Sequence, residues 1–208
     1  MQRQKTTAGH LMLFTRFPQA GETKTRLIPA LGAEGAAALQ RRMSEAAFAT
    51  LRACRGVSLE VRCCGADADA VRRWLPGADS YAAQGEGDLG ARLGRAFAAA
   101  FARRARPVAA VGADCPALTA DHLAAALAAL ADHDLVLGPA RDGGYYLIGL
   151  QAPHPGLFLG IPWGTAAVLR QTLARAKALG LRHHLLETLP DVDRPEDLTH
   201  LGHHPGAQ

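Results

Sequence analysis

The sequence predicts an α/β protein, with three layers (α/β/α) built around a single mixed, mostly parallel sheet. Short apolar segments at 10–17, 57–63, 108–111 and 134–139 have the length of buried strands. Longer alanine-rich segments with helical spacing lie between them, so strand and helix alternate along the chain. The chain has 208 residues, of which 49% are hydrophobic, enough for one sizeable core. We expect a flexible N-terminus at 1–9, one domain over 10–201 and a tail at 202–208.

The first predicted strand leads directly into a loop that suits a phosphate group. This loop contains Gly21, followed by the cations Lys24 and Arg26 with Thr25 between them. Hydroxyls and cations grouped behind a strand favour a phosphate ligand. It is not a Walker A loop, because Thr23 stands where that pattern needs glycine. An ordinary solvated basic loop is the alternative.

Two strand–helix units come next in the prediction. Apolar spacing predicts a crossover helix over 32–53, a strand over 57–63 and a short helix over 68–75. The following segment, 79–83, lacks the pattern of a strand.

A glycine-rich stretch at 84–90 contains the pattern G-x-G-x-x-G ahead of a predicted helix over 91–104. That pattern indicates a dinucleotide-binding turn when it follows a first strand, and here it lies in the middle of the chain. We therefore interpret it as a turn whose backbone amides approach a base or a sugar, with Asp88 capping the helix.

The stretch from Pro107 to Leu118 is predicted to be a buried strand that ends on an acid. Asp114 follows the apolar run, and Pro116 prevents further strand pairing. In a parallel α/β sheet this end of a strand is where ligands bind. Asp114 therefore either contacts a ligand or caps the following turn. Thr119 is predicted to cap the next helix.

A second acid is predicted at the same edge of the sheet. The strand over 134–139 is followed by the turn Arg141-Asp142-Gly143-Gly144 and by a strand over 145–150. The glycines permit a sharp turn that delivers Asp142 to the ligand edge, where it would position an acceptor or act as its base. Asp-Gly is also typical of an ordinary hairpin turn.

The C-terminal part of the chain supplies another pair of acids. Thr165 is predicted to be the N-cap of a helix, and 183–186 a last short strand. Asp191 and Asp193 alternate in an extended segment, so they point to the same side. Pro195 is expected to start a terminal helix.

Composition narrows the classes of ligand and location. The formal charge is +4, the basic residues are scattered and aromatic residues make up only 5%, so the stacking platform of a single-strand nucleic-acid binder is missing and a phosphate-bearing small molecule fits better. No apolar run is long enough to span a membrane and the N-terminus lacks a signal sequence, so we expect a cytoplasmic protein. The oligomeric state is left open, a homodimer included.

Two groups of potential ligands are given little weight. The histidines at 200, 203 and 204 have helical spacing, but they lie at the end of the chain, where a second shell is rare. The cysteines at 54, 63, 64 and 115 are expected to be reduced thiols, and Cys115 an inert neighbour of Asp114.

Together these residues suggest a hard divalent cation, Mg²⁺ or Mn²⁺, beside a phosphate. Asp114 and one of Asp191 or Asp193 would supply oxygen ligands, with waters and substrate phosphates in the remaining positions. Lys24 and Arg26 would face the same phosphates and neutralise the charge of a diphosphate leaving group.

These motifs, in this order, resemble the bacterial family of small GT-A-like nucleotide-diphospho-sugar transferases, once described as a domain of unknown function. The chain is more distantly similar to 2-phospho-lactate guanylyltransferases and molybdenum-cofactor guanylyltransferases. The matching segments are Phe17-Pro18 with Gly21 and Lys24 to Leu27, Gly87 to Gly90 with Arg92, Gly112 to Pro116, Gly138-Pro139 with Asp142 to Leu147, Trp163 to Thr165, and Asp191 to Asp193 with Pro195 to Leu198.

The resemblance implies the nucleotide-diphospho-sugar transferase fold, with the nucleotide held by the N-terminal half. It implies that Asp114 is a metal ligand and favours Asp193 over Asp191 as the second. The chain departs from the family pattern at Arg194, which replaces a threonine, and at Arg16, where many relatives have lysine. Nucleotide or phosphate binding is implied for Gly21, Lys24, Thr25, Arg26, Gly87, Asp88 and Arg92, and the acceptor side for Gly143, Gly144, Trp163 and Thr165.

The function that follows is a metal-dependent glycosyltransferase that passes the sugar of a nucleotide-sugar to a small acceptor, with Asp142 and Lys24 as catalytic residues. The alternative is a nucleotidyltransferase that joins a nucleoside monophosphate to a small phosphorylated acceptor. Both reactions use the same fold and the same role for the metal ion beside the phosphates. A non-catalytic nucleotide- or RNA-binding module is the alternative from another class.

Overall fold

A computed structural model describes residues 9–202. In this part of the chain seven strands form one mixed sheet, in the order β3-β2-β1-β4-β6-β5-β7. The strands are β1 (His10–Arg16), β2 (Ser58–Cys64), β3 (Ser80–Ala83), β4 (Val108–Gly112), β5 (Leu135–Pro139), β6 (Tyr145–Leu150) and β7 (His183–Leu185). Strand β6 is antiparallel to both β4 and β5, and the other pairs are parallel. The predicted mostly parallel α/β sheet is confirmed.

Helices cover both faces of this sheet. They are α1 (Ile28–Ala53), α2 (Ala68–Trp74), α3 (Leu89–Ala102), α4 (Ala120–Ala129) and α5 (Val168–Ala178), with 3-10 segments at Thr25–Leu27, Pro155–Phe158 and Pro195–Gly202. Buried residues of α1, α2 and α4 form one core with the sheet, whereas α3 and α5 form the other. Within the described residues, no helix is both long and apolar enough to cross a membrane.

The central strands are apolar on both sides because both faces are covered. Leu11 and Leu13 of β1 belong to one core, and Met12, between them, belongs to the other. All three side chains are fully buried. This is the continuous apolar run that a strand inside a parallel sheet requires.

Two local predictions were wrong. Residues 80–83 form a strand, β3, because parallel pairing with β2 supplies the hydrogen bonds that their weak strand propensity does not suggest. Thr165 is not a helix N-cap, since α5 begins at Val168 behind Ala167. The Thr165 hydroxyl donates to the carbonyl of Pro162 at 2.8 Å and so closes a turn before the helix.

The ends of the central strands are brought together with the C-terminal segment. The amide of Val192 donates to the carbonyl oxygen of Asp114 at 2.9 Å, so the segment around Asp193 lies against the exit of β4. Val192 itself is fully buried and packs with α1 residues. Residues 1–8 and 203–208 lie outside the described residues, and with them most of the predicted N-terminus and tail and the histidines at 203 and 204.

Candidate active site

The loop after β1 directs the side chain of Lys24 toward the edge of the sheet. Lys24 has a left-handed backbone (φ 47°, ψ 42°), a conformation that is costly for a residue with a Cβ. The loop before it is held by Thr23, which is buried and donates through its hydroxyl to the carbonyl of Gln19 at 3.0 Å. The left-handed turn therefore aims a side chain that is otherwise mobile, and only 4% of the Lys24 side chain is exposed.

Two acids face the Lys24 ammonium. Its Nζ lies 2.6 Å from Oδ1 of Asp114 and 3.9 Å from Oδ1 of Asp193. The ammonium also donates to the carbonyl oxygen of Val192 at 2.6 Å. Three oxygens, from Asp114 after β4 and from Val192 and Asp193 in the C-terminal segment, thus lie around the Lys24 ammonium. The convergence of Asp114 and Asp193 predicted from the sequence is present in the structure.

The C-terminal acid is held in place by two further residues. Arg26 donates to Asp193 from the same loop that carries Lys24. Asp197 accepts the backbone amides of Asp193 at 3.0 Å and of Arg194 at 2.7 Å, so it caps the 3-10 segment that starts at Pro195. Asp197 therefore orients the loop, while Asp193 faces the cations.

A large cavity of about 660 Å³ opens beside the Lys24–Asp114 pair. We call it the large cavity. It is lined by the cationic side chains of Arg16, Lys24, Arg26 and Arg92 and by Thr15, Thr25, Gln40, Cys64, Gln84 and Leu89. We call the part around Lys24 and Arg26, which face Asp114 and Asp193, its cationic end. The volume is in the range of nucleotide and cofactor sites. Several cations beside uncharged polar groups match a phosphate-bearing ligand.

A second cavity adjoins it on the other side of Asp114. This acidic cavity, of about 260 Å³, is lined by Asp114, Asp142, Asp191 and Asp193 together with Tyr145, Tyr146, Trp163 and Thr165. Arg26, Leu89, Gly112, Asp114, Tyr145 and Asp193 line both this cavity and the large one. The two cavities therefore form one continuous groove.

A third cavity, which we call the outer cavity, adjoins the acidic one. It measures about 370 Å³ and shares Asp142 and Asp191 with the acidic cavity. Arg141 and Arg194 line it as well, with His200 at its edge. A groove of three linked compartments has room for a donor and an acceptor at once.

One carboxylate in the acidic cavity, Asp191, is affected by burial and by a neighbouring acid. Burial, followed by the negative charge of Asp142, raises the pKa of Asp191. Asp142 is exposed and accepts the amide of Gly144 at 2.7 Å across the β5–β6 hairpin turn. The turn is therefore the ordinary hairpin that the Asp-Gly pattern allows, and it also delivers Asp142 to the groove.

The wall of the acidic cavity depends on a glycine in α3. A Cβ added to Gly90 would lie 2.4 Å from Nε1 of Trp163, so the indole occupies the space that any other residue would fill. The ring of Trp163 also packs edge-on against Tyr145, with ring centroids 6.3 Å apart. Trp163, predicted on the acceptor side, is thus part of the groove, and so are Gly144 and Thr165.

Some predicted site residues do not line the three cavities. Gly21 and Gly87 adopt positive φ values of 80° and 90° and shape their loops. The Asp88 side chain accepts a hydrogen bond from the backbone amide of Ala91 at 2.8 Å and so caps α3, as predicted from the sequence. A Cβ on Gly143 would lie 2.3 Å from the carbonyl oxygen of Ala166, so this glycine permits a close backbone approach.

Several groove residues were not singled out as site residues from the sequence. Thr15, Gln40, Cys64 and Gln84 line the large cavity, and Tyr145 lines it together with the acidic cavity. Their signal is tertiary, because Gln40 comes from the middle of α1 and Gln84 follows β3. No local motif marks such positions.

Cys115 is poorly suited to act as a nucleophile. It is buried, and burial together with the charges of Asp191 and Asp114 raises the pKa of its thiol. A thiol held in its protonated form is a weak nucleophile. All four cysteines are free thiols, as expected.

The match to known families agrees with this geometry. Residues 36–165 match the family described as "Uncharacterized protein conserved in bacteria (DUF2064)". The chain belongs to the DUF2064 family. This stretch includes the strand that leads to Asp114 and the hairpin that carries Asp142, so the predicted family resemblance is confirmed. No protein in the curated set matches this DUF2064 chain.

Solved structures share the fold. The provisionally named nucleotide-diphospho-sugar transferase of Desulfovibrio desulfuricans G20 is 31% identical, with a TM-score of 0.89 over 97% of this chain and 89% of that one. A 4-diphosphocytidyl-2C-methyl-D-erythritol synthase of Anaerococcus prevotii DSM 20548 is 9% identical (TM-score 0.59, 96% and 97% covered). Rv0371c of Mycobacterium tuberculosis H37Rv, in complex with manganese, is 16% identical (TM-score 0.55, 93% and 97% covered). The predicted nucleotide-diphospho-sugar transferase fold is confirmed.

Proposed function

We propose that this DUF2064 protein is a metal-dependent glycosyltransferase, which binds a nucleotide-sugar and passes the sugar to a small acceptor. The observation that carries the proposal is the position of Asp114 between two cavities of opposite character. The large cavity has a cationic end for a diphosphate, whereas the acidic cavity offers carboxylates and aromatic rings. A group transferred between the two would pass Asp114.

The cationic end suits a diphosphate that becomes more negative as it leaves. Lys24 and Arg26 come from one loop and both face the acid pair. Preorganised cations of this kind stabilise the charge that develops on a leaving group. Because the Lys24 ammonium is buried, it would act with little screening by solvent.

Asp114 and Asp193 fit a divalent cation that arrives with phosphates. The ammonium of Lys24 already stands between their oxygens, which shows that both can face one cation. Residues 9–202 contain no cluster of three or more His, Cys, Asp or Glu ligands, so phosphate oxygens and waters would complete the coordination. Mg²⁺ or Mn²⁺, when bound there, neutralises diphosphate charge. The manganese complex of Rv0371c, a protein of the same fold, is consistent with this assignment.

The acidic cavity favours hydroxyl-rich groups. Carboxylates accept hydrogen bonds from sugar hydroxyls, and the faces of Trp163 and Tyr145 provide apolar contact for a ring. The acidic cavity has four carboxylates and one cation, Arg26, so it suits an uncharged sugar better than a phosphate. The name of the Desulfovibrio desulfuricans relative, a nucleotide-diphospho-sugar transferase, agrees with a sugar in this position.

Asp142 is the candidate general base. It lines both the acidic and the outer cavity, so an acceptor entering from the surface would meet it. Asp142 would take the proton of the acceptor hydroxyl while the acceptor oxygen bonds to the anomeric carbon. The bond between that carbon and the diphosphate breaks, and the electron pair leaves with the diphosphate.

Nucleotidyl transfer is the second candidate, and the outer cavity favours it. Arg141 and Arg194 line this cavity beside Asp142 and suit the phosphate of a phosphorylated acceptor. Such an acceptor would attack the α-phosphorus and release pyrophosphate. Two proteins of the same fold are described as a CMP:2-keto-3-deoxy-manno-octonic acid synthetase complexed with CTP and as an inositol-1-phosphate CTP transferase.

Product analysis separates these candidates. The purified protein with Mn²⁺ is incubated with nucleotide-sugars or with nucleoside triphosphates, after thermal shift has selected the ligands that stabilise it. Release of nucleoside diphosphate from a nucleotide-sugar supports glycosyl transfer, and release of pyrophosphate supports the second candidate. Asp142→Asn should lower kcat about a hundredfold or more, and Asp132→Asn, an exposed acid outside the groove, should not. If no nucleotide stabilises the protein, both candidates are wrong.

A further inference from the structure

A small pocket, of about 70 Å³, opens where the large cavity and the acidic cavity meet. Leu89, Gly112 and Tyr145 line this pocket and both of these cavities. Gly112 ends β4 and comes two residues before Asp114, so the pocket adjoins the candidate metal ligand. We call it the apolar pocket. No step of the proposed transfer uses it.

Small side chains on β4 create the apolar pocket. Side chains alternate along a strand, so Gly112 faces the same side as Ala110, which belongs to the core that α3 and α5 form. In the register of β1 and β4, Gly112 lies beside Phe14, a member of the same core. On the other side, β6 places Ile148 beside Ala110. Large side chains on both neighbouring strands therefore flank small ones on the central strand, which leaves space between them.

The apolar pocket offers few hydrogen bonds to a ligand. Among the described residues that line it, none is charged, and the hydroxyls of Tyr145 and Tyr146 are the only polar side-chain atoms. The Tyr145 hydroxyl is shielded from solvent, and the Tyr146 hydroxyl donates to the carbonyl oxygen of Glu187 at 3.2 Å. A hydroxyl placed in this pocket would lose water without gaining a partner, whereas burial of an apolar group is favourable.

The volume of the apolar pocket limits its occupant to one small group. A cavity of roughly 150 Å³ lined by aliphatic and aromatic side chains holds one benzene molecule, so a pocket of about 70 Å³ is too small for a nucleobase. A methyl group is close in size to a water molecule, whose share of liquid volume is about 30 Å³, and therefore fits. The position agrees, because a nucleobase is separated from the transferred group by the ribose and the diphosphate.

We infer that the apolar pocket receives a methyl group carried by the transferred sugar. The inference rests on the proposed function, because it requires a sugar beside Asp114. Two kinds of sugar present a methyl group. In a 6-deoxysugar it replaces the hydroxymethyl group of the parent sugar, and in an N-acetylated sugar it ends the acetamido group. The parent sugar has a hydroxyl in place of either one, so the pocket discriminates against it.

The test measures dissociation constants of nucleotide-sugars in the presence of Mn²⁺ by isothermal titration calorimetry. The probes are glucose, 6-deoxyglucose and N-acetylglucosamine, each linked to UDP and to GDP, so that the sugars are compared on the same nucleotide. We expect one of the two methyl-bearing sugars to bind about tenfold more tightly than glucose. Which of them it is identifies the source of the methyl group. This series needs no variant and therefore does not depend on the folding of a mutant.

Gly112→Ala tests whether the preference comes from the apolar pocket. The nearest described neighbour of the added Cβ would be the carbonyl oxygen of Tyr146, at an ordinary 3.8 Å, so the strand should accept the substitution. The new methyl group fills part of the pocket, and the affinity ratio between the preferred sugar and glucose should fall close to one. Gly94→Ala, whose Cβ would meet Phe158 at 3.7 Å, should leave this ratio unchanged.

The outcomes separate this inference from the proposed function. Binding of glucose as tight as that of both methyl-bearing sugars would overturn the inference and leave the proposed function intact, and so would a preference that persists in Gly112→Ala. If Gly112→Ala does not fold, the wild-type series decides. Failure of every nucleotide-sugar to bind with Mn²⁺ would remove the proposed function, and this inference with it. A methyl preference that is lost in Gly112→Ala supports both.

Discussion

Lys24 and Asp114 form an ion pair of 2.6 Å at the meeting point of the first and central strands. In this pair the candidate metal ligand Asp114 is bound to a cation of the protein itself, the ammonium of Lys24. Without phosphates, the ammonium therefore competes with any divalent cation for the same carboxylates. The structure suggests that metal affinity and nucleotide binding are coupled through Lys24.

Removal of the Lys24 charge should increase the affinity for free metal. Lys24→Met releases Asp114 and Asp193 from the ammonium, so we expect Mn²⁺ alone to bind about tenfold or more tightly, since a neighbouring cation no longer opposes it. Nucleotide affinity should fall in the same variant, because a phosphate contact is lost. Titration of Mn²⁺ followed by electron paramagnetic resonance measures the change. Lys177→Met, an exposed lysine of α5, is the matched control, and equal Mn²⁺ affinity in all three proteins would contradict the coupling.

A bound nucleotide should shield one cysteine. Cys64 is partly exposed and lines the large cavity, whereas Cys54 is partly exposed at the end of α1 and lines none of the three cavities. We expect nucleotide with Mn²⁺ to slow alkylation of Cys64 about tenfold and to leave Cys54 unchanged. Cys63, next to Cys64 in the sequence, should not interfere with the measurement of Cys64, because burial raises the pKa of the Cys63 thiol to about 12. Mass spectrometry of iodoacetamide-treated protein gives both rates, and equal slowing at both cysteines would point to a global effect instead.

Substitution of Gly90 should affect the acceptor side selectively. Gly90→Ala places a Cβ against the Trp163 indole and must move the ring, so the KM for the acceptor should rise while nucleotide affinity is kept. Gly94→Ala is the control on the same helix, because its Cβ would meet Phe158 at an ordinary 3.7 Å. This control should gain up to about 1 kcal/mol of helix stability. Tryptophan fluorescence reports the ring movement, and an unchanged spectrum in Gly90→Ala would show that Trp163 does not respond.

The sequence predicted those parts of the site that follow strands. Asp114 and Asp142 follow strands β4 and β5, and Lys24 lies in the loop after β1, so all three are at the edge where the carboxyl ends of these parallel strands lie. Their convergence therefore follows from topology alone. The left-handed backbone at Lys24 and the contact with Val192 needed the structure, because they depend on how the loop packs.

The parts that were missed depend on contacts between distant segments. Gln40 lies inside α1, where a polar residue on a helix is normally read as exposed, and it is buried only because Thr15 and Ser44 offer it partners. Strand β3 was missed because the segment from Ser80 to Ala83 is short and only weakly apolar. Its existence is due to pairing with β2, which no local pattern reveals.

The buried charges around Glu60 on β2 lead to a prediction about stability rather than activity. Glu60 is fully buried and lies 2.9 Å from Arg62, 3.1 Å from His10 and 3.4 Å from Arg103. Burial alone would raise the pKa of Glu60, but the hydrogen bond from His10 and the charge of Arg62 outweigh it, so the pKa is lowered. The charged form is therefore the one that stabilises the fold.

Glu60→Gln should destabilise the protein by about 3 kcal/mol near pH 7, because it leaves the buried Arg62 without its counter-charge. A carboxyl whose pKa is lower in the folded state contributes stability above its unfolded pKa of about 4.3, and that contribution is lost as the pH falls through the folded value. The difference between wild type and variant should therefore narrow as the pH falls below about 4. Urea unfolding across pH measures it, with the exposed Glu34→Gln expected within about 0.5 kcal/mol of wild type. A difference that stays constant down to pH 3 would show that the charge of Glu60 is not what stabilises the fold.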